Sequence, residues 1–362
     1  MVTMLDCINR VPSIVEKIIA NRDTTFCAFR KAIAGKEITG IYFVGSGTSN
    51  TSAQTSVRFA EVASGVSCEA MIPNPFLAKV AYNPNAIYVF TSQSGTSTLT
   101  QAALKKVKDM GCLTVAITGK EHTPLDNEAD VWVDMGCGFE EYGMRTIGYC
   151  SSVLTQMLLG MEVGKARGYL SEECYNAYIE DACKVPASHK AISEKTMVWF
   201  DKYKDVLNGG TDIILYGPGS LYGVALEGAL KILETAKRFI SVGYEMDDGL
   251  HGPTMGFTKD HIVITLSDGG KDDKLVQGVS TMMKKEFNGH GFIVGRNTQD
   301  ETDLAFEPAS KNFIAIEYAP VVQIIAYRLA NDFGVPVPPM AEMMADDKPR
   351  YFNTHDADKP EQ

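Results

Sequence analysis

A chain of 362 residues, 45% of them hydrophobic, has the apolar material for about two domain cores. Its net charge of -11, without any block of Lys and Arg, argues against nucleic acid or an anionic membrane as partner, so an anionic ligand would need a local site. Eight cysteines without a CxxC pair, no basic-then-apolar leader and no apolar run near the roughly 20 residues that span a bilayer predict a cytoplasmic, enzyme-like protein with reduced thiols.

Residues 1–35 read as a helical lead-in. Between 36 and 165, short apolar runs end in Gly/Ser-rich turns: "ITGIYFVGSGTSN", "NAIYVFTSQSGTS", "GCLTVAITG" and "ADVWVDMGCG". Residues 166–205 are polar and helix-favouring, a helical connector. The same alternation returns between 206 and 335 as "TDIILYGPGSL", "DHIVITLSDGG" and "HGFIVGRN". Residues 336–362 form a Pro- and Asp-rich tail expected to wrap over the surface or fray. Each apolar run predicts a buried parallel strand, with helix-period segments between the runs. That is an α/β architecture with right-handed crossovers. "YFVGSGTS" recurs in kind as "ILYGPGSL" 172 residues later, and "FTSQSGTS" as "ITLSDGGK" after 174 residues. The agreement of the two offsets points to an internal duplication of one whole domain. The expected fold is therefore two doubly wound, flavodoxin-like domains, each a parallel sheet sandwiched by helices.

Two turns are candidates for holding a phosphate. Gly45-Ser46-Gly47-Thr48-Ser49-Asn50 follows a strand and opens a helix, where backbone N–H groups and the helix dipole favour an anion. It is neither the dinucleotide fingerprint nor a Walker loop. Thr91-Ser92-Gln93-Ser94-Gly95-Thr96-Ser97 adds hydroxyl and amide donors at a second strand end, as expected of a crevice at the carboxyl edge of a parallel sheet. The plain alternative is that these Ser and Thr residues only cap helices. The second-half turns "GPGSL" and "SDGGK" have lost most hydroxyls and carry Asp268, which would repel a phosphate, so the pocket is expected in the first half.

In "GVALEGALKILETAKRF", Glu227, Lys231, Glu234 and Arg238 fall within about 60° of arc on one helix. So narrow a charged stripe predicts a helix packed on several sides with its charges in a cleft or interface; ordinary i,i+4 pairing, worth roughly 0.2–0.5 kcal/mol, is the alternative. A carboxylate in a partly apolar cleft suits the movement of a proton between adjacent carbons. His251, in "HGP", is expected in a loop. Asp247 and Asp248 beside it are candidates to bind sugar hydroxyls or to orient it, with solvated acids as the alternative. No metal-ligand spacing occurs among the six histidines, and neither metal nor cofactor is expected.

Taken together, "GSGTS", "SQSGTS", "ALEGALKILE" and "HGP" resemble the sugar isomerase (SIS) family, with tandem SIS domains over nearly the whole chain. Similar members are the isomerase half of glucosamine-6-phosphate synthase and the fructosamine-6-phosphate deglycases. The resemblance implies a sugar-phosphate cradle of Ser46, Gly47, Thr48, Ser49, Ser92, Gln93, Ser94 and Ser97, with Thr96 standing where many members have Glu. It implies that Glu234 moves the proton between C1 and C2 and that His251 assists ring opening or acts as acid. Glu227, Lys231, Asp248 and His355 are supporting candidates. It further implies a homodimer or higher homo-oligomer with a shared site, in which His251 faces the Glu234 of a second chain. The sequence begins Met1-Val2-Thr3, without the cysteine and amidotransferase domain of the synthase, and Thr354 stands where the synthase tail has its Schiff-base lysine. Both departures favour a deglycase that releases glucose 6-phosphate and an amine. An aldose-ketose or amino-sugar phosphate isomerase/deaminase, and a non-catalytic sugar-phosphate-binding regulator, are the alternatives.

Overall fold

Every apolar run quoted above forms a strand. The computed structural model describes residues 2–336 and 353–355. Helices α1 (Met4–Thr25) and α2 (Cys27–Ile33) precede the first sheet. There follow β1 (Gly40–Val44), α3 (Thr48–Ser64), β2 (Ser67–Met71), α4 (Pro73–Leu77), β3 (Ala86–Thr91), α5 (Thr98–Asp109), β4 (Leu113–Thr118), α6 (Pro124–Glu128), β5 (Val131–Asp134), α7 (Ile147–Ala166) and α8 (Glu172–Ala182). Helix α9 (Val185–Gly209) leads into β6 (Asp212–Tyr216), α10 (Leu221–Ala236), β7 (Ile240–Tyr244), α11 (Met246–His251), β8 (His261–Ser267), α12 (Asp273–Lys285), β9 (His290–Gly295), β10 (Leu304–Ala305) and α13 (Ile314–Asp332).

The strands make two five-stranded sheets ordered β2-β1-β3-β4-β5 and β7-β6-β8-β9-β10, and every pairing is parallel. Numbered within its own half, each sheet has the order 2-1-3-4-5, the flavodoxin-like arrangement. β6 starts 172 residues after β1, and β8 starts 175 after β3, so the two offsets in the sequence match those of corresponding strands to within one residue. One compact unit gathers residues 13–141 and 147–183 with the described tail residues around the first sheet; the other gathers 2–12, 142–146 and 184–336 around the second.

Strands β3 and β8 are buried almost throughout, which is why they read as continuous apolar runs. The strands without such a run, β2, β7 and β10, all lie at sheet edges. In the first unit α7 packs directly on the backbone of α3. A Cβ on Gly160 would lie 2.7 Å from Ala60 Cα, and one on Gly164 would lie 2.1 Å from the carbonyl oxygen of Ala63. That close approach fixes the helix whose first turn carries Thr48 and Ser49. No helix among the described residues is long and apolar enough to cross a membrane. Except for residues 336 and 353–355, the tail expected to wrap or fray lies outside the described residues.

The buried face of α9 carries His189, 1% exposed, whose two ring nitrogens have no hydrogen-bond partner among the described residues. Burial pushes its pKa down from 6.5 to about 3. The unfolded chain therefore binds a proton below pH 6.5 that the folded chain refuses until about pH 3. The stability tied to the neutral ring is fully present above 6.5 and is lost as pH falls through that window. Urea unfolding of wild type and His189→Leu across the window should give a wild-type stability that falls more steeply, by up to about 1.4 kcal/mol per pH unit. Parallel pH profiles would show that His189 does not stay neutral in the fold.

Candidate functional site

The two hydroxyl-rich turns start from neighbouring strand ends, since Val44 of β1 pairs with Phe90 of β3. This is also where the strand order of the first sheet reverses. Gly47 is the N-cap of α3 at φ 55°, ψ −128°, a conformation that L side chains rarely adopt, and it offers no side-chain cap. Ser46 is exposed, while Thr48 and Ser49 are half-buried in the first turn.

The second turn uses its hydroxyls on one another. Ser92 Oγ lies 3.0 Å from Ser97 Oγ, and Ser94 Oγ 3.0 Å from Thr96 Oγ1. Ser92 Oγ also accepts the Gly95 N–H at 3.2 Å. Ser97 is the N-cap residue of α5 yet makes no side-chain cap bond to the helix. Plain helix capping therefore does not account for the cluster. Gln93 is turned the other way, donating from Nε2 to Glu140 Oε2 at 3.2 Å. Described tail residues meet the end of this turn. Thr98 N donates to the Thr354 carbonyl at 3.2 Å, Thr98 Oγ1 donates to that of Asn353 at 3.1 Å, and His355 follows, exposed.

Beneath the two turns lies a buried polar layer that the sequence reading missed. Gln156 of α7 donates from Nε2 to Thr91 Oγ1 at 3.1 Å and to Ser52 Oγ at 3.4 Å, and its Oε1 accepts from Ser56 Oγ at 2.6 Å. Ser52 Oγ in turn donates to the Ser49 carbonyl at 2.9 Å. Gln156 thus ties α3, α7 and the end of β3 together. Its only signal in the sequence is one amide inside an otherwise apolar run, "VLTQMLLG".

In the second unit α10 inverts the usual amphipathic pattern. Glu227 is 0% and Lys231 1% exposed, whereas Leu233 is 51% exposed. The Lys231 ammonium stands 3.6 Å from Glu227 Oε1 and 2.7 Å from Glu234 Oε2. The Glu234 side chain is 34% exposed, so it lies at the margin of the unit with its carboxylate against an ammonium, and not in an apolar cleft as expected. The ordinary surface pairing considered for these charges fails as well, because two of the three groups are out of water. Arg238 does not join the stripe. Lys237, in the left-handed region at φ 54°, ends the helix, and the Arg238 guanidinium lies 4.4 Å from the ring centre of Phe333.

His251 is the last residue of α11, a short helix, and not a loop residue as its Gly-rich surroundings suggested. Glu245 caps that helix, its Oε2 accepting from Asp247 N at 2.7 Å and Asp248 N at 3.3 Å. Tyr216 Oη, at the end of β6, donates to the Gly249 carbonyl at 2.9 Å and anchors it from below. Burial, then the charges of Asp248 and Glu245, raise the pKa of Tyr222 in the first turn of α10. His251 is exposed and makes no hydrogen bond or ion pair with Asp247, Asp248 or Glu234 among the described residues. In the second-half turn Asp268 Oδ1 accepts the Gly270 N–H at 2.8 Å, so a carboxylate occupies the position that corresponds to Gln93.

Among known families, residues 37–163 match the model of the SIS domain. Residues 37–163 thus hold a SIS domain. The SIS match covers the first sheet and both hydroxyl-rich turns, and the second sheet repeats its strand order. The glutamine–fructose-6-phosphate aminotransferase (isomerizing) of Bartonella henselae is 26% identical over 326 residues, covering 86% of this chain and 52% of that protein. The chain thus spans about half the length of the curated relatives it matches. Among solved structures, a candidate phosphosugar isomerase from Clostridium difficile 630 superposes with a TM-score of 0.84 at 25% identity, covering 96% of this chain and 99% of that one. The glucosamine-6-phosphate deaminase of Thermotoga maritima shares the fold with a TM-score of 0.72 at 21% identity over 92% of this chain and 94% of that one.

The buried charges of α10 give a stability test. Lys231→Met removes the ammonium beside the buried Glu227 carboxylate and should cost about 3–5 kcal/mol in urea unfolding. Glu234→Gln, at a partly exposed position, should cost about 1 kcal/mol or less. Equal costs for the two variants would mean that Lys231 is not the centre of the cluster.

Proposed function

We propose that the protein is a phosphosugar-processing enzyme, a deglycase that splits a 6-phosphofructosamine into glucose 6-phosphate and a free amine. What carries the reading is the Lys231–Glu234 pair, in which an ammonium withdrawn from water holds a carboxylate that still reaches the margin of its unit. A binding protein needs a phosphate cradle but no placed proton acceptor. This pair therefore weighs against the regulator reading.

In the proposed reaction the hydroxyls and backbone N–H groups of Ser46–Ser49 and Ser92–Ser97 hold the phosphate. His251 assists opening of the sugar ring. Glu234 takes a proton from C1, leaving an enaminol, and reprotonation at C2 gives an imine at C1. Water adds to that carbon, and the C–N bond breaks to release glucose 6-phosphate and the amine. Lys231 keeps Glu234 in one position through the proton's departure and return. Thr354 in place of a Schiff-base lysine fits a substrate that already carries its nitrogen on C1. An isomerase or an amino-sugar phosphate deaminase would use the same acid and base, and the two are told apart by product.

A homodimer with a shared site belongs to the same proposal. It is supported by the exposure of His251 and by apolar side chains left facing solvent in that unit, Leu233 at 51%, Ile240 at 69% and Met255 at 89%.

Incubation with a panel of fructosamine 6-phosphates and ketose phosphates, following free amine and glucose 6-phosphate, tests the reaction. Amine release in step with glucose 6-phosphate is expected. Ketose–aldose conversion without it would move the assignment to an isomerase. Glu234→Gln and His251→Asn should each lose about 10²–10⁴-fold in turnover while still binding sugar phosphate. Mixing the two inactive variants should restore activity toward half of wild type in heterodimers, and no recovery after verified subunit exchange would rule out the shared site.

A further inference from the structure

Glu140 has no exposed surface and lies outside every motif in the sequence. Its Oε1 accepts the Ile147 N–H at 3.0 Å, and its Oε2 accepts the Gly148 N–H at 3.1 Å and Gln93 Nε2 at 3.2 Å. Two of these donors are the opening amides of α7, a 20-residue helix whose dipole favours a negative charge there. The third belongs to the residue between Ser92 and Ser94.

Gln93 is held from two further directions. Its carbonyl accepts the Gly119 N–H at 3.0 Å. Its side-chain Oε1 lies against Gly148, where an added Cβ would come within 2.0 Å of it. Position 148 therefore accepts only glycine if the amide is to keep its place. Gly148 sits in the first turn of α7 without the positive φ that would call for a glycine, so the helix itself gives no reason for it.

We propose that Glu140 and Gly148 form a clamp that positions Gln93, and through it sets the spacing of the Ser92 and Ser94 hydroxyls for the substrate's phosphate. Glu140 is a positioning residue. It acts through Gln93, and its carboxylate stays behind the turn, where it does not oppose the phosphate charge. This inference rests on the phosphate-binding reading of that turn and adds the residues that shape it.

The test separates positioning from simple helix capping. Gly148→Ala leaves the Glu140 carboxylate and both helix amides in place and displaces only Gln93. Calorimetric binding of fructose 6-phosphate and of inorganic phosphate should weaken on the order of tenfold in Gly148→Ala and in Glu140→Gln. In a Gln93→Ala background the added Gly148→Ala should have no further effect, because the side chain it displaces is gone. Thermal melts identify any variant that fails to fold, and Gly148→Ala carries the test if Glu140→Gln is unstable. Wild-type binding that Ser94→Ala weakens, with Gly148→Ala at wild-type affinity, overturns the clamp and leaves the phosphate reading standing. An effect of Gly148→Ala that persists undiminished in the Gln93→Ala background also overturns it. A wild type that binds neither probe overturns both.

Discussion

A parallel sheet whose strand order reverses between two neighbours leaves those neighbours' following turns with no chain crossing between them. In the first unit that break falls between β1 and β3, and the cradle depends on it. The crossovers after β1 and β3 leave toward opposite faces, so the N-terminal turns of α3 and α5 both open at one edge of the sheet. Their amide donors then need only small residues around them. The chain supplies these as glycines that let the backbone turn and as serines and threonines that bind one another instead of capping the helices.

Charge burial on α10 is the counterpart in the second unit. Taking Glu227 and Lys231 out of water is costly, and their mutual attraction offsets that cost only in good geometry. Such an arrangement adds little to stability that a packed apolar cluster would not supply. What it does provide is a lysine with no freedom to move, fixed on one side by Glu227 and bonded on the other to Glu234. A carboxylate held in this way keeps one orientation while a proton leaves and returns. The exposed leucine on the opposite side of the helix follows from the same inversion, because the polar residues already occupy the interior.

Much of the fold was legible because central strands of a parallel sheet must be apolar on both faces, and β1, β3, β4, β6, β8 and β9 announce themselves as unbroken runs. Edge strands have no such requirement. "SCEAM" at β2 alternates exposed and half-buried positions, and β10 has two residues, so neither leaves a pattern to read. The exchange of residues 2–12 and 142–146 into the second unit is equally silent, since neither segment differs in composition from its surroundings. At the site, the turns could be found because glycine and hydroxyl residues cluster there for a stated reason. The groups beneath them could not. Gln156 and Glu140 are single polar residues far in sequence from what they hold, and only the packing of α7 brings them to Thr91 and Gln93. Arg238 failed for the opposite reason. Helical spacing places it on the stripe, but the backbone turns left-handed one residue earlier.

The duplication makes the divergence of the halves interpretable. Gln156 and Gln323 stand 167 residues apart, the same interval as between the first residues of α7 and α13, so one buried amide was retained in both copies. In the first copy it meets Thr91, Ser52 and Ser56, a layer of hydroxyls under the two turns. In the second its Nε2 reaches the Thr146 carbonyl at 3.4 Å, and its Oε1 has no hydrogen-bond partner among the described residues. The hydroxyls were kept where donors gather at the sheet edge and lost where Asp268 fills the turn. The second copy meanwhile carries buried charge on α10, where the 172-residue offset sets Glu227 and Lys231 against Thr55 and Phe59 of α3. A single ancestral layout, with helix N-termini opening at a sheet edge, thus separated into one unit rich in anion-binding donors and another rich in titratable groups.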